Sequence, residues 1–188
     1  MKFYSCVQKL ALSEAVLIKA KRFAESVAHT TNYGDANQTE IKKIINDHYI
    51  SKLGEEAVKM IMSRYAAVKG PDYEIYEAKR KSWEADLFIN ELPLAVKTQT
   101  TSAAVRYGLS WTFQSGPKRR DILLQQPDAW VAFVEYDDLH TPFQTCFVLP
   151  PFQVKELVFG EPKLMHLKGH KKVVYATSLP KMDVKEFV

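Results

Sequence analysis

The stretch 83–101, WEADLFINELPLAVKTQTT, decides the fold of this chain because it predicts a β-hairpin that carries two charged residues. An apolar run, the polar pair Asn90 and Glu91, and a second apolar run follow one another, which is typical of two strands joined by a tight turn. Asp86 precedes the first run and Lys97 ends the second. Since a short hairpin folds its far ends back together, we expect these two side chains to lie close in space.

Side-chain alternation along the second strand predicts one face with Ala95, Lys97 and Gln99 and an opposite face with Val96 and Thr98. A carboxylate beside a lysine on adjacent strands can hold a hard divalent cation such as Mg²⁺, and the lysine can orient an attacking water and offset phosphate charge. A surface salt bridge on an ordinary hairpin is the alternative interpretation of the same pattern.

This hairpin resembles the core of the PD-(D/E)XK nuclease superfamily, to which many restriction endonucleases and Holliday-junction resolvases belong. Asp86 matches the first acid of the family motif, Lys97 matches its lysine, and Thr98 matches the small hydroxyl residue that follows. The order of elements over 36–160 also resembles the family. Ala95 departs from it, because the family carries Glu, Asp or Gln two positions before the lysine.

Alanine offers no metal ligand, and three explanations of Ala95 stay open. First, the alanine was introduced to disable an enzyme. Second, the protein lost its activity naturally. Third, the metal ligand comes from another position, such as Gln99.

The resemblance implies an α/β fold of restriction-endonuclease-like type, with a mixed central β-sheet flanked by helices and a helical N-terminal region. It implies a single nuclease-like domain over 1–188, divided into an N-terminal helix and loop at 1–35, a core at 36–160, and a C-terminal strand and tail at 161–188.

The function that this resemblance implies is a Mg²⁺-dependent (or Mn²⁺-dependent) DNA endonuclease that hydrolyses phosphodiester bonds. DNA is then the partner, and a homodimer is compatible because two strands must be cut. A nuclease fold without activity that binds nucleic acid or protein is the alternative, and an unrelated mixed α/β protein with a fortuitous motif is a third hypothesis.

By the same resemblance, Asp86 and a glutamate from the helical region would hold the metal, and Lys97 would position the attacking water. Glu56 matches that catalytic glutamate, with Glu55 and Glu40 as rivals. All three glutamates also suit the first turn of a helix, where the helix dipole favours acids.

Three basic clusters would contact DNA phosphates in such an enzyme, and solvated charged loops are the alternative. One of the three lies at 168–172. The residues predicted to bind nucleic acid from the other two are Lys79, Arg80, Lys81, Lys118, Arg119 and Arg120.

Periodicity and turn residues predict the remaining elements. Gly54 is expected to end one helix or begin the next. The predicted helices are 13–28, 39–52, 55–67, 121–126 and 152–159, and the predicted strands are 73–78, 109–114, 129–136, 144–149 and 173–176.

Composition narrows the function classes. The net charge of +4 over 188 residues permits nucleic-acid binding but does not by itself argue for it. Cys6 and Cys146 are too few for a disulfide framework, which predicts a reducing, cytoplasmic setting. No apolar run is long enough to span a membrane, so a membrane partner is not expected.

Overall fold

A computed structural model describes residues 1–28, 30, 40–75, 85–117, 119–140 and 144–181. Three helices and nine strands make up the regular structure of these residues. In chain order they are β1 (Gln8–Ala11), α1 (Glu14–Val27), α2 (Ile41–Met62), β2 (Val68–Lys69), β3 (Leu87–Ile89), β4 (Leu92–Thr100), α3 (Thr101–Tyr107), β5 (Ser110–Gln114), β6 (Trp130–Asp137), β7 (Thr145–Val148), β8 (Phe152–Gln153) and β9 (Lys171–Tyr175).

The main sheet is mixed, as predicted, and the α/β class is confirmed. Its strands follow the order β1-β7-β6-β4-β3-β2, with β8 also paired to β6. Strands β4 and β6 run parallel, whereas the other pairs in this sheet are antiparallel. Strands β5 and β9 form a separate antiparallel sheet of two strands.

The predicted hairpin is the β3–β4 pair, with Leu87 opposite Leu94. Asn90 and Glu91 both take positive φ angles, 46° and 66°. This is the backbone of the two-residue turn that matches the twist of paired strands. The second strand is longer than the sequence predicts, because β4 continues to Thr100 by pairing with β6.

Helices α1 and α2 cover one face of the main sheet. The apolar side chains of the hairpin that point to this face, such as Leu87 and Val96, pack with Leu53 and Ile61 of α2. The opposite face is covered by β5 and β9 rather than by a helix, since Trp111 belongs to the core on that side. The expectation that helices flank the sheet therefore holds for one face only.

Strand β6 is buried on both faces, as its continuous apolar sequence predicts. Ala132 and Val134 belong to the core under the helices, and Val131 and Phe133 belong to the core under the two-stranded sheet. All four side chains are fully buried. Alternate residues of this strand thus join the two cores.

Several element predictions need correction. The two helices predicted on either side of Gly54 are one continuous helix, α2. Residues 73–75 are not a strand, and the rest of that predicted strand lies outside the described residues. Strand β1 was not predicted in the N-terminal region, and the helix predicted over 152–159 is strand β8 followed by a short 3-10 turn.

Among the described residues, no helix is both long and apolar enough to cross a bilayer.

Candidate functional site

Asp86 lies directly before β3 and binds the backbone of β4. Its Oδ2 accepts a hydrogen bond of 2.7 Å from the N–H of Val96. The hairpin ladder begins at Leu87, so this N–H lies beyond the last strand-to-strand pair and the carboxylate takes the place of a partner strand. Burial raises the pKa of Asp86, against the opposing effects of the Val96 hydrogen bond and the Lys97 ammonium.

The ammonium group of Lys97 forms its ion pair with an acid other than Asp86, namely Asp121. Its Nζ lies 2.7 Å from Oδ2 of Asp121. The other oxygen of Asp121 accepts from the N–H of Leu123, which caps a short 3-10 turn. Asp121 also acts on Asp86, because its charge contributes to raising the pKa of that residue. No motif or periodicity in the sequence predicts Asp121 at this position.

The helix α2 brings Glu55 to the site. Its carboxylate is 3% exposed, accepts a hydrogen bond of 3.1 Å from Ser51 and lies 2.5 Å from Nζ of Lys52. Burial, followed by repulsion from Asp86, raises the pKa of Glu55 to about 7, although Lys52 opposes the shift. Two buried carboxylates, Asp86 and Glu55, are therefore close enough that the charge of Asp86 contributes to the raised pKa of Glu55, and of the two Asp86 lines the clefts.

The structure turns Glu56 in another direction. Its Oε1 accepts a hydrogen bond of 3.0 Å from the hydroxyl of Tyr73 and lies 3.5 Å from Nζ of Lys19 on α1. Successive helix residues point in different directions, and the direct partners of the two glutamates differ, since Glu55 is bound by Ser51 and Lys52. The third candidate, Glu40, is exposed at the start of α2. Among the predicted glutamates, Glu55 is the one on which the Asp86 charge acts.

Two clefts meet at this site. One has a volume of about 610 Å³ and the other of about 540 Å³. Four residues line both: Asp86, Lys97, Thr112 and Lys171. The predicted acid and lysine thus lie at the junction of two cavities that open on either side of them.

Positive charge surrounds the junction. Arg119 and Arg120, both predicted to bind nucleic acid, line the larger cleft. Lys171 comes from the third basic cluster of the sequence. The other predicted basic residues, Lys79, Arg80, Lys81 and Lys118, lie outside the described residues.

Ala95, where the family ligand is missing, and Gln99, which was considered as its replacement, differ in their surroundings. Ala95 lines the larger cleft, so a longer side chain at this position would extend toward open space. Gln99 is committed to the backbone: its Oε1 accepts a hydrogen bond of 2.7 Å from the N–H of Ser110, and its Nε2 lies 3.4 Å from the carbonyl of Gly108. Gln99 lines the smaller cleft, but its amide oxygen is already engaged in holding β5 beside β4.

The oxygen atoms of the carboxylates near the clefts are the type of donor that Mg²⁺ prefers. No group of three or more His, Cys, Asp or Glu side chains arranged to hold a metal occurs within the described ranges. Mg²⁺, however, is usually held by one or two carboxylates together with waters and substrate phosphates. Asp86 is one such carboxylate in the clefts, and Glu55, whose oxygens are bound by Ser51 and Lys52, is the buried carboxylate whose pKa Asp86 helps to raise.

No family model, no curated protein and no solved structure matches this chain. The resemblance to the nuclease superfamily therefore depends on the residues described above.

Proposed function

We propose that this protein is a Mg²⁺-dependent (or Mn²⁺-dependent) DNA endonuclease with a restriction-endonuclease-like fold. The observation that carries the proposal is that Asp86 and Lys97 both line the two clefts where these meet; the raised pKa of Glu55, to which the Asp86 charge contributes, supports it. The order of a helix, an antiparallel hairpin, a crossover through α3 and a parallel strand β6 supports the fold.

Each residue of the proposed site has a role that its surroundings allow. Asp86 and Glu55 would hold the cation, and the Val96 N–H keeps one oxygen of Asp86 in place. A bound Mg²⁺ supplies positive charge for the phosphate and lowers the pKa of a water. Lys97, oriented by Asp121, donates hydrogen bonds to that water or to a phosphate oxygen.

The cationic lining of the cleft suits a polyanionic substrate. Arg119 and Arg120 face the same cavity as the two catalytic candidates, and arginine binds phosphate through two parallel hydrogen bonds. Affinity for DNA should then fall as the salt concentration rises, because phosphate contacts release counterions. Cutting both strands of a duplex needs two such sites, which a homodimer supplies.

Cleavage of supercoiled plasmid by an Ala95→Glu variant tests the proposal. The added carboxylate restores the donor that the family carries beside Lys97, so we expect metal-dependent nicking or linearisation that exceeds that of the unchanged protein. Ala95→Met is the matched control, because its side chain has a similar length and no oxygen donor. If the Ala95→Glu protein neither cuts nor binds DNA in Mg²⁺ or Mn²⁺, the proposal fails.

A second candidate function is binding of nucleic acid without hydrolysis. It is favoured by Ala95 and by the ion pairs that already engage Glu55 and Asp121. This candidate predicts DNA binding that does not depend on metal and no gain of cleavage in Ala95→Glu. Calorimetric titration with Mg²⁺ separates the two functions, since the non-catalytic fold gives no heat of binding that depends on Asp86.

A further inference from the structure

Strand β9 carries two consecutive lysines, of which the first lines the clefts and the second points away from them. Lys171 pairs with Gln114 of β5 and lines both clefts, together with Thr112. Lys172 follows directly, so its side chain leaves the opposite face of the strand, where its ammonium binds the carboxylate of Glu161.

The Lys171 ammonium has no anionic partner of its own in the part of the chain that the structure describes. No ion pair or hydrogen bond among those residues involves its Nζ, although its side chain is only partly exposed. Burial lowers the pKa of Lys171 most, and Lys43, Arg119 and Lys97 lower it further. The charge of Asp47, which lines the smaller cleft with Lys171, acts in the opposite direction and raises the pKa.

A partly buried ammonium among other cations is unfavourable unless an anion binds there. Lys97 is neutralised by Asp121, but the guanidinium of Arg119 has no ion-pair partner within the described ranges. The groove between β4 and β9 is the larger of the two clefts, which both Lys171 and Arg119 line. It therefore holds an excess of positive charge beside the candidate catalytic residues. Phosphate is the anion chemistry that suits one lysine and one arginine approaching from different elements.

We propose that Lys171 and Arg119 form a phosphate-binding site in this groove that takes a backbone phosphate of a nucleic acid. The nucleic-acid source rests on the function proposed above, whereas the phosphate chemistry does not. Lys171 is then a substrate-binding residue distinct from the metal-holding acids, and it acts on affinity rather than on the hydrolytic step.

The test compares Lys171→Met with Lys172→Met. Methionine keeps most of the apolar stem of each side chain, and the Lys171 change removes an unpaired charge, so this variant should fold. Fluorescence anisotropy with a labelled DNA duplex in EDTA measures affinity over a range of salt concentrations. We expect Lys171→Met to weaken binding roughly tenfold or more and to reduce the slope of log affinity against log salt by about one. Lys172→Met should change affinity less than about twofold, since its charge is already engaged by Glu161.

A second measurement is independent of DNA. Tripolyphosphate should raise the melting temperature of the unchanged protein and of Lys172→Met, but not of Lys171→Met. If tripolyphosphate stabilises neither, or stabilises Lys171→Met as well, the phosphate site does not exist, whatever the plasmid assay gives. Binding of tripolyphosphate that depends on Lys171, without any binding of DNA, would keep the phosphate site and overturn both its assignment to nucleic acid and the proposed function.

Discussion

Gly54 of α2 lies so close to Thr98 of β4 that a Cβ on residue 54 would lie 1.9 Å from the hydroxyl oxygen of Thr98. The absence of a side chain at Gly54 therefore lets the helix approach the strand that carries Lys97. Glu55 follows directly, and this contact brings it near Asp86. The glycine that the sequence suggests as a helix end instead sets the distance between the helix and the site.

Replacing Gly54 with alanine should destabilise the protein. Alanine normally favours a helix by about 1 kcal/mol relative to glycine, but a contact of 1.9 Å forces the helix away from Thr98. Overpacking of this kind costs about 1–3 kcal/mol, which outweighs the gain. Thermal unfolding should show a fall in Tm of about 2–4 °C for each kcal/mol lost.

Gly160→Ala is the matched control for this substitution. An added Cβ at Gly160 would meet Tyr175 at 3.7 Å, which is ordinary van der Waals contact. Its Tm should change little. An equal or higher Tm for Gly54→Ala would contradict the close approach of helix and strand.

Glu55→Gln and Glu56→Gln should differ in metal binding, although the two residues are neighbours. Glu55 is the glutamate near Asp86, whereas Glu56 is bound by Lys19 and Tyr73. We expect Glu55→Gln to weaken Mg²⁺ binding at least tenfold in calorimetry, which corresponds to about 1.4 kcal/mol. Glu56→Gln should bind Mg²⁺ like the unchanged protein, and loss of binding in Glu56→Gln alone would reverse the assignment.

The pKa of Glu55 also predicts a pH dependence of stability. The unfolded side chain loses its proton near 4.5, but burial and Asp86 raise the folded pKa to about 7. Between these values the folded state binds more protons, so stability falls as the pH rises from 4.5 to about 7. The contribution is fully present below pH 4.5, is lost as the pH rises through 7 and amounts to about 3 kcal/mol.

Urea unfolding at pH 5 and pH 8 measures this effect. Relative to the unchanged protein, Glu55→Gln should be more stable at pH 8 than at pH 5, because glutamine carries no charge to bury. The Glu56→Gln control should leave the pH dependence unaltered. A difference between Glu55→Gln and the unchanged protein that does not vary with pH would show that Glu55 titrates normally.

The contact between Lys97 and Asp121 should couple the two residues in cleavage. Lys97→Met is expected to lower kcat about 10²-fold or more, with little change in KM, because Lys97 acts on the reacting water or phosphate. Asp121→Asn should lower kcat less, since it removes the group that orients Lys97.

The double variant should be no slower than Lys97→Met alone, because Asp121 acts through the lysine. Losses in kcat that multiply in the double variant would mean that Asp121 contributes to cleavage on its own.

Side-chain alternation and a polar turn were enough to predict the hairpin, because both are local properties of the chain. Asn90 and Glu91 are adjacent to the strands that they join, and the register of Leu87 with Leu94 follows from a two-residue turn. The buried strand β6 was predicted for a similar reason, since its apolar run needs no distant partner to be recognised.

The choice of glutamate could not be predicted from the sequence. Whether Glu55 or Glu56 faces the hairpin depends on the rotation of α2 about its own axis. A break in the helix at Gly54 would have changed the direction in which both side chains point. The helix runs through Gly54, which packs against Thr98, a residue more than forty positions away that local sequence patterns do not relate to it. Asp121 was missed on similar grounds, since no periodicity relates it to Lys97 across 24 residues.

Plasmid nicking by Asp86→Asn, compared with the unchanged protein and with Asp128→Asn, tests the central claim most directly. Asparagine at residue 86 keeps an oxygen that can accept from the Val96 N–H but removes the charge that would hold Mg²⁺. Asp128 is exposed, pairs with Lys155 and is not among the residues that line the two clefts. We predict Mg²⁺-dependent nicking by the unchanged protein and by Asp128→Asn, and none by Asp86→Asn. Equal nicking by all three proteins would contradict a metal-dependent nuclease site at Asp86, as would the absence of nicking by the same three proteins when each also carries Ala95→Glu.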